Sequence, residues 1–425
     1  MFLSGYTLSA EQRDLDMINS VIEEKQTIDK KKLFEKHIAM FLVTKEFIQK
    51  NNLILYGGLA LNLALPKNKR FYGNFELPDY DFFSYDPKLH ATALADTYHG
   101  LGYKYIEVKP GIHYETYKVF VDFQPVADIT GIPKKLFDQL LDTSLEERAM
   151  IMKNNPHIDI NLAPLSLLRL AFHIELSRPD GFIERWPKIY KRMVLFYSVY
   201  PLQFDLMCKD VFIKDPNPRV RELAQIVLTH CKLHGLPILG LESLKVYMKY
   251  HGTPVADNDI FAENMALLET MSVNYKETAG TVFKLLSSIR NKGEKIVLRA
   301  HAALNKSELV PEHYVISLGD RPIVIIYNAH ACYSYKALDG INVMTIDSIL
   351  SLTYACTFTA RAYYDIDKLK CMINMLLNLQ SKHINSKKYV WRRFDLMCFG
   401  NQPSLDDVKR DKWNQKKSFF VYRPE

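Results

Sequence analysis

The chain has 425 residues, of which 48% are hydrophobic and 24% are charged, and its net charge is +7. This length and composition fit a globular protein of two or three domains with ample apolar material for its cores. No apolar stretch approaches the ~20 residues of a membrane span, and the N-terminal residues lack the basic start and apolar run of a signal peptide. A secreted or membrane-spanning protein is therefore not expected.

The first fifty residues predict a helical element. Residues 9–12 read Ser-Ala-Glu-Gln, the pattern of a capping box, and open a predicted helix that extends to about residue 25. A second helix is predicted over about 29–50, where apolar residues recur near helical spacing. We expect residues 1–50 to form an N-terminal element of two helices.

A short apolar strand over 53–56 leads into Gly57 and Gly58, and a helix is predicted over 58–65. A Gly-Gly pair after a strand is most often only a tight turn, because glycine tolerates positive φ. At the start of a helix, however, such a pair also lets backbone N–H groups approach the oxygens of a phosphate. The segment is therefore a candidate nucleotide-binding turn.

Two aspartates, Asp79 and Asp81, lie at the start of a predicted strand near 80–84. Residues i and i+2 of a strand project to the same face, so these two carboxylates are expected to point together. An Asp-x-Asp alone is usually part of a solvated loop. Two carboxylates beside a glycine turn, in the order found here, favour a site that holds divalent metal ions against a triphosphate.

A third carboxylate is expected on a neighbouring strand. After the aspartate pair, one helix and three strands are predicted, over 88–101, 103–109, 115–121 and 125–130. The unit as a whole predicts an α+β fold with a mixed sheet. Asp128 is favoured as the third ligand because it lies mid-strand between apolar residues, whereas the alternative, Asp122, precedes a Phe-Gln-Pro turn.

Helical segments follow at 163–181 and 185–192. Arg169 and His173 are four residues apart on one predicted helix face and are candidates to reach a triphosphate or primer. The alternative is that this arginine closes a structural salt bridge. The same two interpretations apply to a second basic cluster, which contains Arg178, Arg185 and Lys188.

The second half contains a faint internal repeat. Residues 236–247 resemble the strand, turn and helix around Gly57, and Asp257-Asn258-Asp259 resembles the first aspartate pair. A helix and three strands are predicted to follow, over 279–292, 295–304, 313–318 and 322–328. Val324-Ile325-Ile326-Tyr327 replaces the segment with the third carboxylate, and the second glycine is lost. We expect a degenerate copy kept for binding or structure, with its two aspartates on the surface.

The C-terminal residues 382–425 hold 11 Lys or Arg and 5 Asp or Glu, so most of the net charge lies there. Eight aromatic residues are interleaved with these charges. Cations on phosphates and rings stacked on bases suit a single-stranded nucleic acid. The alternative is a docked segment with buried aromatics and solvated cations. The candidate RNA contacts are Lys387, Lys388, Arg392 and Arg393.

The six cysteines are widely spaced, form no Cys-x-x-Cys pair and lie mostly in apolar stretches. We expect them to be reduced, buried thiols of a cytosolic protein, and we expect neither a zinc site nor a disulfide framework.

These motifs resemble the catalytic subunit of the poly(A) polymerases of large cytoplasmic DNA viruses, of poxvirus or giant-virus type, within the polymerase-β-like nucleotidyltransferase superfamily. The resemblance starts with the Gly-Gly turn and Leu-Pro-Asp-Tyr-Asp-Phe-Phe (77–83), and continues through the hairpin around Val-Ala-Asp-Ile-Thr (126–130). Segments specific to the viral group are similar at 331–335, 344–352 and 396–402. Many relatives outside this group have Gly-Ser where this chain has Gly57-Gly58.

The resemblance implies a template-independent enzyme that adds AMP from ATP to the 3′ end of mRNA. Asp79, Asp81 and Asp128 would hold two Mg²⁺ or Mn²⁺ ions, one neutralising the triphosphate and one lowering the pKa of the primer 3′-hydroxyl. Gly57 and Gly58 would contact the phosphates through backbone N–H groups. Alternatives are a uridylyl- or oligoadenylate-type nucleotidyltransferase, or a non-catalytic RNA-binding subunit, against which the intact set of three carboxylates argues.

The expected domains are the helical element 1–50, a catalytic nucleotidyltransferase domain with its following helices at 51–200, and a degenerate nucleotidyltransferase-like domain with a basic, aromatic tail at 201–425. The expected partners are ATP and an RNA 3′ end, with either a homodimer or a processivity subunit and with no membrane. The expected location is the host cytoplasm, including the viral factory, or the virion.

Overall fold

A computed structural model of the chain describes residues 8–202, 208, 211–303, 309–415 and 420–424. The helices are α1 (Leu8–Lys50), α2 (Gly57–Ala64), α3 (Pro87–Gly100), α4 (Lys134–Asn154), α5 (Leu165–Leu176), α6 (Trp186–Val199), α7 (Pro218–Leu233), α8 (Gly240–His251), α9 (Tyr275–Ser288), α10 (Ile346–Cys356), α11 (Ile366–Lys382) and α12 (Leu405–Asn414).

The strands in the first half are β1 (Ile54–Leu55), β2 (Tyr80–Ser84), β3 (Glu107–Pro110), β4 (Thr116–Val121), β5 (Gln124–Gly131) and β6 (Asn161–Leu162). The later strands are β7 (Ile213–Lys214), β8 (Ile238–Leu239), β9 (Asp259–Ile260), β10 (Leu268–Ser272), β11 (Ile296–His301), β12 (His313–Leu318), β13 (Arg321–Asn328), β14 (Tyr333–Leu338), β15 (Ile341–Met344) and β16 (Cys398–Phe399).

Two mixed sheets with flanking helices confirm the predicted α+β fold class. The first sheet has the strand order β3-β4-β5-β2-β1-β6, and the second has the order β11-β12-β13-β10-β8-β15-β14-β16. In the first sheet β2 runs parallel to β5 and antiparallel to β1. This arrangement places Asp81 directly beside Asp128. The domain boundaries stay a prediction.

The N-terminal element is one continuous helix, so the break predicted between residues 25 and 29 is wrong. The segment around the predicted break contains neither glycine nor proline, and Lys25 forms an i,i+4 ion pair with Asp29 across it. The side chain of Ser9, in the predicted capping box, lies outside the described residues. Only the C-terminal part of α1, from His37 and Met40 onward, enters the core.

The second sheet repeats the first at one edge. β8 leads into α8 through Gly240 with φ of 61°, as β1 leads into α2 through Gly57 with φ of 72°. The residues before the two glycines, Leu239 and Tyr56, have nearly identical backbone angles. The repeat predicted from the sequence is therefore present in the backbone, although one of its predicted correspondences is wrong.

The strand that matches β2 is β10, not the segment around Asp257 and Asp259. β10 is antiparallel to β8 and parallel to β13, as β2 is to β1 and β5. Asp259 instead lies on β9, which pairs with β7 outside the large sheets. The register places Glu269 at the position of Asp81, so the residue letters alone suggested a false match.

The C-terminal tail packs back on the first sheet. Tyr422 forms an antiparallel bridge with Val108 on the edge strand β3. The buried ammonium of Lys412, on α12, donates hydrogen bonds of 2.6 Å to the carbonyls of Gly111 and His113. The docked-segment alternative therefore describes this end of the tail.

The cysteines differ from the expectation of free thiols. Cys208 is paired with Cys371 and Cys332 with Cys398 in disulfides, while Cys231 and Cys356 are buried and free. Partners 163 and 66 residues apart in sequence leave no local pattern from which the pairing could be predicted. The argument from reduced thiols to a cytosolic protein is therefore withdrawn.

Candidate active site

Three carboxylates meet on the face of the first sheet that bears the Gly-Gly turn. Carboxylate oxygens of Asp79, Asp81 and Asp128 all lie within 4.8 Å of one another. Asp79 precedes β2, Asp81 follows by two residues on the same face, and β5 places Asp128 beside Asp81. Asp122 lies in the β4–β5 turn with a φ of 48°, away from this cluster.

The cluster is electrostatically unfavourable without a cation. Burial, and then the neighbouring carboxylates of Asp79 and Asp128, raise the pKa of Asp81 to about 7. Burial and Asp128 also raise the pKa of Asp79 above its usual value. Three partly buried acidic groups at this spacing are what a divalent ion in an oxygen-ligand site requires.

Asp128 gives a second indication that the site suits a cation. One of its carboxylate oxygens contacts the ammonium of Lys118 on β4, while the other, Oδ1, is buried and has no hydrogen-bond partner among the described residues. A buried carboxylate oxygen without a partner is costly, and a bound cation would satisfy it. The residues present therefore fit a divalent metal site.

The glycine turn lies directly against the cluster. Gly57 has a φ of 72°, and a Cβ there would collide with the carboxylate of Asp81. A Cβ at Gly58 would collide with the hydroxyl of Tyr72 and would lie 3.2 Å from a guanidinium nitrogen of Arg192. Glycine is required at both positions because backbone, carboxylate and these side chains approach so closely.

Arg192 is a site residue that the sequence reasoning missed. Its guanidinium packs 4.0 Å from the centre of the Phe71 ring, beside the N-terminus of α2, and it forms no salt bridge with any described residue. A cation without a carboxylate partner at a helix N-terminus is suited to a phosphate group. In the sequence, the feature that could have indicated this residue is its position in a basic run of α6.

Arg169 and His173 lie elsewhere, so their predicted contact with nucleotide does not fit the structure. His173 is fully buried, with its ring nitrogens 2.8 Å from Asp347 and 3.0 Å from the Tyr197 hydroxyl. Arg169 is also buried and donates a 2.7 Å hydrogen bond to the carbonyl of Tyr200. His173 therefore links the two halves through Asp347, whereas the hydrogen bond of Arg169 stays within the first half and goes to a carbonyl, not to the carboxylate that the salt-bridge alternative expected.

The three residues of the second basic cluster have different surroundings. Arg185 is exposed, pairs with Glu175 at 3.3 Å, and lies close enough to Asp81 to lower its pKa, against the dominant effect of burial. Arg178 stacks on the ring of Tyr333, and Lys188 is exposed. Of these three, Arg185 is the one whose charge reaches the carboxylate cluster.

Comparisons with known proteins find similarities to one kind of enzyme. Residues 42–165 match the family model of the poly(A) polymerase catalytic subunit. A protein of Acanthamoeba polyphaga mimivirus, named as a poly(A) polymerase catalytic subunit, is 26% identical over 92% of this chain and 73% of that protein. The chain is similar to the poly(A) polymerase catalytic subunits of large DNA viruses. The resemblance stated from the sequence is thereby confirmed.

Two further comparisons agree. A protein of African swine fever virus with the same naming is 34% identical over 39% of this chain and 34% of its own length. The crystal structure of the Megavirus polyadenylate synthase matches with a TM-score of 0.83, at 20% identity, over 100% of this chain and 87% of that one. The predicted enzyme class, a polynucleotide adenylyltransferase, is the class for which these relatives are named. Within the described residues, no helix is long and apolar enough to cross a membrane.

The choice between Asp128 and Asp122 as the third carboxylate can be tested by mutation. Asp128→Asn is expected to lower nucleotide addition to an RNA primer by at least ~10²-fold, because it removes a charged ligand from the cluster. Asp122→Asn is the matched control and should remain within about threefold of wild type, since the turn lies outside the cluster. Primer-extension rates at saturating ATP measure both, and the reverse order would contradict the assignment.

At the positions that correspond to the three carboxylates, the second half keeps one acidic residue, Glu269. It accepts a 2.9 Å hydrogen bond from the hydroxyl of Tyr327, and burial raises its pKa to about 7. The sheet register places Leu267 and Ile325 where the first half has Asp79 and Asp128. A single buried carboxyl with apolar neighbours cannot hold two metal ions.

Glu269→Gln is therefore expected to leave nucleotide addition within about threefold of wild type, because the amide is similar in shape and can still accept the tyrosine bond. Asp257→Ala combined with Asp259→Ala should be equally mild. A hundredfold loss in either variant, measured by primer extension with an unchanged melting temperature, would show that the second half takes part in catalysis.

The four candidate RNA contacts in the C-terminal segment also differ in their surroundings. Lys387, Lys388 and Arg392 are exposed. Arg393 is not available, because its guanidinium donates two 2.8 Å hydrogen bonds to the carboxylate of Asp347. Its predicted RNA contact therefore does not fit the structure, and only the three exposed cations remain candidates.

Reversing the charge of Lys387, Lys388 and Arg392 is expected to weaken primer binding and to flatten its salt dependence by ~0.7 for each phosphate of a single strand that is no longer neutralised. The rate at saturating primer should stay nearly unchanged. Titration of a fluorescent RNA at several salt concentrations measures the slope. A control variant with Lys409 and Arg410 reversed, at exposed positions of α12, tests whether any basic patch has this effect.

Proposed function

We propose that the chain is a template-independent poly(A) polymerase that adds AMP from ATP to the 3′ end of mRNA by a two-metal mechanism and releases pyrophosphate. The single observation that carries this proposal is the convergence of three carboxylates on one sheet face beside a glycine turn at a helix N-terminus. The polyadenylating relatives support the choice of adenylate.

Asp79, Asp81 and Asp128 would hold the Mg²⁺ or Mn²⁺ ions. Such ions, when bound, neutralise triphosphate charge and lower the pKa of an attacking hydroxyl. The unpartnered Oδ1 of Asp128 and the raised pKa of Asp81 support this role for the cluster. Lys118 holds the other oxygen of Asp128 and fixes the orientation of that carboxylate.

The turn and α6 would bind the triphosphate. Gly57 and Gly58 leave the first backbone N–H groups of α2 accessible at close range, and the helix dipole favours an anion there. Arg192 adds a full positive charge beside Gly58 and is held in place by its contact with Phe71. These groups orient the triphosphate toward the carboxylates, which is the positioning that phosphoryl transfer depends on.

The test uses a labelled RNA primer with each of the four nucleoside triphosphates separately, in Mg²⁺ and in Mn²⁺. Extension with ATP alone, abolished by chelation, is the expected result. Preferred extension with UTP would assign a uridylyl-type enzyme, and 2′–5′ products formed without primer would assign an oligoadenylate type. RNA binding without extension under any of these conditions would assign a non-catalytic subunit.

The expected partners and location are part of the same proposal. An RNA 3′ end and ATP are the substrates implied by the polymerase relatives, and a homodimer or a processivity subunit would keep the RNA bound between additions. The viral origin of the relatives supports action in the host cytoplasm, including the viral factory, or in the virion.

A further inference from the structure

The two outer strands of the first sheet carry further side chains on the face of the carboxylate cluster. Lys109 of β3 lies opposite Lys118 of β4, and Glu107 lies opposite Phe120. Lys118 in turn lies opposite Asp128 of β5 and contacts its carboxylate. Because side chains alternate along a strand, these groups share one face, which we call the β3–β4 face. The residues that alternate with them are fully buried on the other side of the sheet, namely Val108, Val119 and Val121.

Phe120 is an aromatic side chain that the fold leaves on this face. It is only partly buried, and it is not among the described side chains that pack against the hydrophobic core. Its ring is covered instead by the ammonium of Lys109, which lies 4.3 Å from the ring centre. A lysine on a flexible stem can leave a ring in this position. The ring is therefore accessible to a ligand that has a flat π surface of its own.

The charges around this ring are mainly positive. The side chain of Lys109 is 45% exposed and lies 3.1 Å from Glu107. Arg423 of the C-terminal segment reaches the same carboxylate at 2.7 Å. This edge of the sheet thus has two cations for one carboxylate, and Lys118 adds a third cation toward the carboxylate cluster. An aromatic ring among cations suits a single-stranded nucleic acid, whose bases stack and whose phosphates are anionic.

The order of the strands indicates which substrate passes over this face. The glycine turn lies between β1 and α2, and the strand order β3-β4-β5-β2-β1 places β4 and β3 on the other side of the carboxylates. In-line displacement requires the attacking hydroxyl and the leaving pyrophosphate on opposite sides of the reacting phosphorus. With the triphosphate at the turn, a primer approaches over β4 and β3. Neighbouring strands are ~4.8 Å apart, so β3 lies roughly 10 Å from β5.

We propose that the β3–β4 face binds the last nucleotides of the RNA primer, with a base stacked on Phe120 and a backbone phosphate on Lys109. This inference rests on the proposed function, because it assigns the primer path of the same site. The ammonium of Lys109 would move from the ring to the phosphate, and Glu107 would limit the positive charge of the face. A protein segment that docked an apolar side chain on the ring would leave the cations without anions, so it fits less well.

The first experiment measures the apparent primer constant with an oligoadenylate primer and ATP. Phe120→Ala should raise this constant at least ~5-fold, the lower end of the cost of one lost base–aromatic stack. The constant for ATP should stay within about twofold, since the triphosphate binds on the other side of the cluster. Phe120→Tyr keeps the ring and should stay within about twofold of wild type. The control, Phe123→Ala, removes a ring that is 75% exposed at the β4–β5 turn and should be equally mild.

The second experiment uses a change that should improve binding. Glu107→Gln removes the carboxylate of the β3–β4 face, so that Lys109 and Arg423 become available to phosphates. Primer affinity should rise about threefold or more, and its salt dependence should steepen by ~0.7 for each added phosphate contact. Lys109→Gln should have the opposite effect on both quantities. A merely structural role for Glu107 would not raise the affinity, and an unchanged or lower affinity would overturn the proposal.

A crosslinking experiment separates this proposal from the proposed function. A primer with 5-iodouridine next to its 3′ end, irradiated without ATP or metal, should crosslink to the peptide that contains Phe120. The same label far from the 3′ end should not. A crosslink elsewhere would overturn the primer path, as would an unchanged primer constant in Phe120→Ala or an equal loss in Phe123→Ala. Normal extension with ATP in that case would leave the proposed function intact.

The converse result is also distinguishable. A chain that extends no primer with any triphosphate would contradict the proposed function, and the crosslink would still decide whether an RNA 3′ end lies on this face. Melting temperatures show whether each variant folds. If Phe120→Ala is unstable, the direction of the Glu107→Gln effect and the crosslink to the wild-type chain decide the proposal.

Discussion

Replacing Asp81 with alanine is expected to reduce nucleotide addition by at least ~10³-fold, because the loss of one preorganised charge-stabilising group already costs ~10²–10³-fold. Asp79→Ala should have a comparable effect. Asp81 is the central member of the cluster, beside Asp128 on the neighbouring strand and against Gly57 at the glycine turn. Its removal would leave any bound metal ion underliganded. Primer extension under single-turnover conditions measures the rate.

The same variants should keep the fold. Three carboxylates at this spacing repel one another, which is one reason that the pKa of Asp81 is raised, so removal of one relieves that repulsion in the absence of metal. The melting temperature without metal should therefore be equal to or above that of wild type. Mn²⁺ should raise the melting temperature of wild type and have little effect on the variants, because binding to the folded state stabilises it.

Asp142→Ala, at an exposed position of α4, is the matched control and should retain wild-type rate and metal response. Retention of more than a tenth of wild-type activity in Asp79→Ala or Asp81→Ala would contradict the catalytic role assigned to the carboxylate cluster. A lost metal response with normal activity would instead separate the metal site from catalysis.

The parts of this site that could be predicted from sequence are those that local rules determine. The alternation of side chains along a strand places Asp79 with Asp81, and the preference of glycine for positive φ marks the turn at Gly57. Asp128 could be preferred over Asp122 because a mid-strand position between apolar residues differs in pattern from a turn. The roles of these residues in catalysis stay predictions.

The parts that could not be predicted depend on contacts between distant segments. His173 lies four residues after Arg169, as a second nucleotide contact would, but its ring is hydrogen-bonded to Asp347, which lies 174 residues later in the chain. The match of Asp257-Asn258-Asp259 with the first aspartate pair followed residue letters, whereas strand pairing makes β10 the counterpart of β2. Arg192 was visible only as one cation in a basic run, because its contact with the glycine turn requires the fold.

Replacing Asp347 with alanine is expected to destabilise the chain by ~3–5 kcal/mol, the usual cost of breaking a buried ion pair by removing one partner. The side chain of Asp347, on α10, is 1% exposed and accepts hydrogen bonds from Arg393, from His173 and, at 3.1 Å, from Gln380. Burial opposes its ionisation, but Arg393 outweighs this and keeps the pKa of Asp347 below its usual value.

The carboxylate is therefore ionised at neutral pH, and its loss would leave the guanidinium of Arg393 buried without a counterion. Because His173 belongs to α5 and Arg393 to the C-terminal segment, the same change would loosen the contact between the two halves. Urea denaturation at pH 7, followed by circular dichroism, measures the loss. Asp367→Ala, at an exposed position of α11, is the matched control and should cost under ~0.5 kcal/mol.

A double-mutant cycle separates the ion pair from the rest of the network. Asp347→Ala with Arg393→Ala should cost less than the sum of the two single changes, because neither charge is then left alone in a buried site. Additive costs would mean that the two side chains stabilise the fold independently. A loss below ~1 kcal/mol for Asp347→Ala would contradict the structural role assigned to Arg393 and would make it available again as an RNA contact.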